Sequence, residues 1–235
     1  MFAKVLEISW LTTRHTMAFA ESFQTIKDNM GETQPSLMCA VPRVYEKFHA
    51  AVVEQATAAG GLKAKLFQSA LALSVKNGEF EQQGRGGLSG LDALKFRILK
   101  GLIFKKISAG LMELMGGRMR VMVSGGAPLS PKIGFFFRDA GLEILEGYGL
   151  TETSAASFCN RPGENRIGTV GPPMPGTQVK IAEDGEILIK GRGVMREYWK
   201  RPEATAEVLK DGWFHTGDIG ELDAHGCLKI TDRKK

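Results

Sequence analysis

The sequence predicts an α/β fold with a small β-rich region towards its C-terminal end. Three observations carry that expectation. Short apolar runs alternate with helix-compatible stretches through residues 1–165, Gly-rich loops follow two of those runs, and from Arg166 onward short β-rich runs are punctuated by Gly and Pro. The 235 residues are 43% hydrophobic and 24% charged, so the chain can bury a sizeable core, and disordered and fibrous classes are excluded. The expected organisation is a partial α/β subdomain over 1–165 and a small β subdomain over 166–235.

Met1 to Trp10 runs straight into apolar sequence with no capping or turn residues ahead of it, as an element entered part-way would. Met17 to Ala20 and Ser36 to Val41 read as short strands flanking a helix-compatible Glu21 to Met30 and a turn at Gly31, a βαβ pattern. Pro42 ends the second strand, and Val44 to Ala59 is an Ala-rich helix stopped by Gly60 and Gly61. Leu62 to Val75 is a further helix. Asn77 to Gly90, polar, Gly-rich and without a GK[ST] signature, reads as a mobile surface loop and not as a phosphate cradle. Leu91, Leu94, Ile98, Leu102 and Phe104 with Lys95, Arg97, Lys100, Lys105 and Lys106 form an amphipathic basic helix. Its apolar side either packs on the core with the lysines merely solvated, or rests on anionic lipid.

Arg118 to Val123 reads as a strand, SGGAPLS (Ser124 to Ser130) as its exit loop, and Ser130 with Pro131 as the cap and first turn of a helix that Gly141 ends. Leu142 to Glu146 is the next strand, running into EGYGLTET (Glu146 to Thr153). Two Gly-rich loops thus leave the carboxyl ends of successive strands in a right-handed βαβ unit, the edge at which open α/β sheets bind ligands. Gly147 and Gly149 permit a tight path, with positive φ available to them, by which backbone can approach a ligand. Thr151 opens a helix whose free amides suit a phosphate, and Glu152 is a hard oxygen donor of the kind Mg²⁺ accepts beside phosphates. Gly125 and Gly126 let a flat base lie along the backbone. Tyr148 either stacks on that base or is a core ring with a bonded hydroxyl.

Beyond Arg166, Gln178 to Ile181 and Glu186 to Ile189 flank a Glu183-Asp184-Gly185 turn, and Leu228 to Ile230 is a further strand. WFHTGDIG (Trp213 to Gly220) sets Asp218 on a turn between glycines, where its carboxylate either accepts both hydroxyls of a ribose or caps the turn. Arg233, in ITDRKK, offers a donor fork for ribose or phosphate oxygens, or belongs to a basic tail. His15, His49, His215 and His225 lack metal spacing and read as surface or packing residues.

The net charge of +5 favours anionic partners, but no RNP, zinc-finger or recognition-helix signature accompanies it, so nucleic acid is not an expected partner. The three cysteines are scattered with no CxxC pair, against a disulfide framework or zinc site and in keeping with a reducing cytosol. No run reaches the length of a spanning helix and no secretory signal is present, so the expected location is cytoplasmic; only the lipid reading of the basic helix would add peripheral contact at the inner membrane face.

SGGAPLS, EGYGLTET, GEILIKG (Gly185 to Gly191), WFHTGDIG and ITDRKK stand in the order found in the adenylate-forming acyl-CoA synthetases, luciferases and peptide-synthetase adenylation domains, which the chain resembles over nearly its whole length. VPRVYEKFHAAV (Val41 to Val52) and the long insertion before SGGAPLS resemble the long-chain fatty-acid CoA ligases in particular. That resemblance implies an AMP-binding large domain that uses ATP, Mg²⁺ and CoA to convert a long-chain fatty acid to acyl-AMP and then acyl-CoA. It implies Gly125, Gly126 and Ala127 along adenine, Tyr148 stacked on it with Gly149 beside it, Thr151 on the α-phosphate, Glu152 on the metal, and Asp218 and Arg233 on the ribose. The acyl chain would enter a tunnel beside the Tyr148 strand and the helix after Val41, and Lys235 would be the interdomain hinge. The family's Ser/Thr/Gly-rich phosphate loop and its small C-terminal domain, each with a lysine, are not in this sequence. The expectation is therefore an incomplete ligase, which either works with a complementing polypeptide that carries the missing parts, or is a non-catalytic nucleotide- or acyl-binding fragment, or is an inactive remnant.

Overall fold

The computed structural model describes residues 2–58 and 60–234. The expectations placed on Met1, Ala59 and Lys235 lie outside the described residues. The chain divides into two compact units, Ala18–Ile144 and Met1–Met17 with Leu145–Lys235.

The chain begins with α1 (Phe2–Thr13). Arg14, with φ of 53°, takes it out of the helix. Met17 to Ala20 forms no strand, which corrects the expected βαβ pattern. It runs as irregular chain with Phe19 exposed, because a four-residue apolar run makes a strand only where another strand accepts its backbone bonds. α2 (Ile26–Thr33) and β1 (Leu37–Ala40) follow.

The first unit is mainly helical. α3 (Pro42–Ala58) starts on Pro42, whose missing N–H has no partner to lose in a first turn. α4 (Gly61–Gln82) runs past its expected end, so Asn77 to Gln82 is helix and not loop. Gly78 explains the misreading: a Cβ there would lie 2.4 Å from the Phe135 ring, so this glycine marks a close contact inside a helix. The irregular stretch is confined to the residues before Gly90, and Asn77 pins it by accepting the Leu88 N–H at 3.0 Å. α5 (Gly90–Leu99), a π-helical turn (Lys100–Phe104) and α6 (Lys105–Leu114) then form one run. It buries Phe96, Leu99 and Phe104 and leaves Leu91 and Leu102 exposed.

β2 (Val121–Ser124) lies parallel to β1, with Leu37 opposite Val121 and Ala40 opposite Ser124. α7 (Pro131–Asp139) begins on Pro131 after Ser130, whose side chain makes no capping bond. It ends on Gly141, whose φ of 79° lets the amides of Gly141 and Leu142 bond back to Arg138 and Phe137 at 2.9 Å. The core is aromatic: Phe136 and Phe137 meet edge-on with centroids 5.2 Å apart, and buried Tyr45 donates its hydroxyl to the Val123 carbonyl at 2.8 Å.

The second unit holds β3 (Ile144–Leu150) except its first residue, and Gly147 to Leu150 of that strand pair antiparallel with β4 (Ala155–Cys159), with Gly147 opposite Cys159. β5 (Thr177–Ile181), β6 (Glu186–Gly191), α8 (Pro202–Val208), β7 (Leu209–Lys210), β8 (Trp213–Leu222) and β9 (Leu228–Arg233) complete it. Their antiparallel sheet runs β5-β6-β8-β7, with β9 also on β8. The long β8 and helix α8 are not legible as such in the sequence. A compact apolar cluster of Phe158, Ile187, Ile189 and Leu228 underlies the sheet.

Candidate functional site

The EGYGLTET segment is less of a loop than its glycines suggest. β3 continues through Gly147 and Gly149, neither of which has positive φ. Gly149 is required for another reason: a Cβ there would fall 1.5 Å from the Ala155 carbonyl oxygen, where β4 crosses a bulge in the ladder. Thr151 does not open an α-helix. Thr151–Thr153 is a single 3-10 turn, and the positive φ of Ser154 (57°) and Ala155 (90°) turns the chain directly into β4. Thr153, and not Thr151, fastens the turn: its Oγ1 accepts the Leu150 N–H at 3.0 Å. Thr151 is exposed and Glu152 half-buried at the tip.

Asp218 likewise sits inside β8 and not on a turn, directly opposite Arg233 of β9. Gly217 ahead of it, with φ of 72°, gives the local kink that the glycines foretold. Asp218 is buried, its Oδ2 accepting the Tyr148 hydroxyl at 2.5 Å and its Oδ1 lying 3.6 Å from the Arg233 Nε. Burial, reinforced by the Asp218 carboxylate, pushes the Tyr148 phenol far above its ordinary range, so it stays a proton donor. The Tyr148 ring packs on Phe158, 6.1 Å between centroids. Tyr148, Asp218 and Arg233, called from separate motifs, are therefore one contact cluster.

Glu152 and Arg233 both line a cavity of about 320 Å³, together with Leu150, Tyr198, His215 and Thr216. Two of the groups at this cavity escaped the sequence reading. The Tyr198 hydroxyl donates to Glu152 Oε1 at 2.8 Å. Glu186, buried, takes His215 Nδ1, the Gly217 N–H and Lys234 Nζ, each at 2.9 Å. Burial would raise the Glu186 carboxyl, but these partners outweigh it and hold the group below the ordinary carboxylate range. The partners of Tyr198 and Glu186 are distant in sequence, and nothing local announces them.

SGGAPLS belongs to the other compact unit. There Gly125 is buried and donates to the Ala40 carbonyl at 3.3 Å, while Gly126, at φ of 83°, and Ala127 are exposed. Among the described residues no three His, Cys, Asp or Glu side chains cluster as a metal cage.

This fold is that of the N-terminal domains of adenylate-forming enzymes. Apo MatB from Rhodopseudomonas palustris superposes with a TM-score of 0.64 at 23% identity, covering 98% of this chain and 37% of that one. The N-terminal domain of FACL13 from Mycobacterium tuberculosis does so with a TM-score of 0.56 at 22% identity, over 90% of this chain and 42% of that one. The AMP-binding enzyme family model matches residues 1–199, and the chain belongs to that family. Among its relatives are the long-chain-fatty-acid–CoA ligase FadD15 of Mycobacterium bovis, 38% identical over 235 residues, and long chain acyl-CoA synthetase 5 of Arabidopsis thaliana, 38% identical over 223 residues covering 88% of this chain. The chain spans 38% of the length of the first and 32% of the second.

Proposed function

We propose that this chain is the nucleotide-handling part of a long-chain fatty-acid CoA ligase. In that reaction a fatty-acid carboxylate oxygen attacks the α-phosphorus of ATP, the bond to pyrophosphate breaks, and the CoA thiolate then attacks the acyl carbonyl and expels AMP. The observation that carries the reading is the Tyr148–Asp218–Arg233 cluster beside a cavity walled by Glu152, within a family member whose relatives bear long-chain ligase names.

Asp218 takes the ribose hydroxyls, since an ionised carboxylate has lone pairs beyond those used by Tyr148 and Arg233. Arg233, at the cavity, adds a donor fork to the same sugar. Tyr148 and Gly149 flank the base from β3. Thr151, exposed beside the cavity residue Glu152, offers a hydroxyl to the α-phosphate. Glu152 is a hard oxygen donor at the cavity, which suits Mg²⁺ because that ion keeps waters and takes most of its other ligands from substrate phosphates. The bound ion would neutralise phosphate charge; the residues of this chain hold and orient the nucleotide.

Calorimetric titration with a non-hydrolysable long-chain acyl-AMP analogue tests this. The chain is expected to bind it saturably and more tightly than AMP, and Asp218→Ala is expected to abolish binding. A folded chain that binds neither compound refutes the proposal.

A further inference from the structure

Residues 191–205 cross the tip of the EGYGLTET turn as a strap. The Met195 N–H bonds the Glu152 carbonyl at 2.6 Å, and Ser154 Oγ donates to the Gly193 carbonyl at 2.8 Å. Gly193 itself approaches so closely that a Cβ would sit 2.8 Å from the Thr153 carbonyl oxygen. These backbone ties staple the turn. The Tyr198 hydroxyl goes further, reaching past the backbone to the Glu152 side chain at 2.8 Å, where both residues line the cavity. At its other side the Tyr198 N–H is held by Thr205 Oγ1 at 3.0 Å, and that hydroxyl donates to the Arg201 carbonyl at 2.8 Å. The Tyr198 backbone is thereby anchored to α8.

We propose that Tyr198 is a positioning residue that fixes the Glu152 carboxylate for a divalent cation arriving with a nucleoside triphosphate. This rests on the assignment of Glu152 made under Proposed function. An exposed glutamate samples many rotamers and loses that freedom on ligating a metal. A hydroxyl donated to Oε1 removes much of the freedom beforehand and directs the remaining lone pairs into the cavity, as partners behind metal-ligating side chains do. The turn does not need the phenol for its own stability, because backbone bonds already close it.

The test is Mn²⁺ binding, read by electron paramagnetic resonance, to the chain saturated with α,β-methylene-ATP. Tyr198→Phe is expected to weaken Mn²⁺ binding roughly tenfold and to leave metal-free AMP affinity unchanged. Glu152→Gln is expected to weaken it at least as much, the double variant no more than Glu152→Gln alone, and Tyr198→His, which keeps a ring N–H donor, to recover part of the loss. Wild-type Mn²⁺ affinity in Tyr198→Phe beside a weakened Glu152→Gln overturns the positioning role and leaves the functional reading intact. Wild-type affinity in Glu152→Gln, or a wild-type chain that does not bind the analogue, overturns the reading of Glu152 itself and the inference with it. Should Tyr198→Phe fail to fold by circular dichroism, Tyr198→His and its double variant with Glu152→Gln carry the comparison, and losses of Mn²⁺ affinity that simply add in the double variant overturn the proposal.

Discussion

The two compact units are held by different chemistry. In Ala18–Ile144 the stabilising element is an aromatic and aliphatic core around Phe104, Phe136, Phe137 and Met122, and Asp139 is its one buried carboxylate among the described residues. Even that group is matched, with Ser74 Oγ donating at 2.5 Å and Lys100 Nζ at 2.8 Å. In Leu145–Lys235 the fully buried apolar cluster is small, yet Glu146, Glu186 and Asp218 are all buried and all partnered. A buried carboxylate without partners is strongly disfavoured, so each is a site where sequence has invested polar contacts in place of packing. One unit is thus held mainly by packing, whereas the other gives more of its interior to partnered carboxylates.

That contrast is broken most forcefully from the scaffold side. Phe137→Ala, at a fully buried ring, is expected to cost about 3–5 kcal/mol in urea unfolding. Native-state hydrogen exchange should show the loss in Ala18–Ile144 first, and equal loss in both units would erase the distinction. Gly149→Ala comes next, since its Cβ would overlap the Ala155 carbonyl oxygen. Overpacking of this kind is expected to cost about 3 kcal/mol, read as a lower thermal midpoint, with the β3–β4 amides losing protection.

Glu186→Gln sharpens the comparison through pH. The folded carboxyl lies below its ordinary value of 4.5, so its stabilisation is present above that pH and is lost as the pH falls below it. The variant is expected to be less stable than wild type by about 1–2 kcal/mol at pH 7, and the two unfolding curves should converge below about pH 4.5. A gap that persists at pH 3 would mean that charge is not what Glu186 contributes. For Tyr148→Phe a loss of about 1.5 kcal/mol in urea unfolding is expected, because one donor to the buried Asp218 carboxylate goes while the ring stays packed on Phe158.

What was legible in the sequence was chemistry that acts locally. Pro131 at a helix start, Gly141 at its end and the Asp184-Gly185 turn between β5 and β6 each act through their own backbone, and the structure places them as read. Gly78, Gly149 and Asp218 show where such reading stops. The first two are glycines because something else comes close, Phe135 in one case and the Ala155 carbonyl in the other, and single-residue preferences carry no record of an approaching neighbour. Asp218 read as a turn residue because the paired strand that makes it a β residue arrives only with Arg233. Thr151 read as a helix start because the positive φ of Ser154 and Ala155 is imposed by the bend into β4 and is preferred by neither residue type. Of the site, the motif residues were nameable from sequence. The Tyr198–Glu152 bond, 46 residues apart in the chain, and the Glu186–His215–Lys234 group were not.

The central claim is that the Tyr148–Asp218–Arg233 cluster is the nucleoside end of a nucleotide site, and ribose discrimination tests it most directly. Dissociation constants for AMP and for 2′,3′-dideoxy-AMP would be measured on the wild-type chain and on Asp218→Asn. The account predicts that the wild type prefers AMP by roughly 10- to 100-fold, the range set by hydrogen bonds to a charged group, and that Asp218→Asn loses most of that preference while remaining folded. Equal affinity of the wild type for the two nucleotides, or unchanged discrimination in Asp218→Asn, would contradict it.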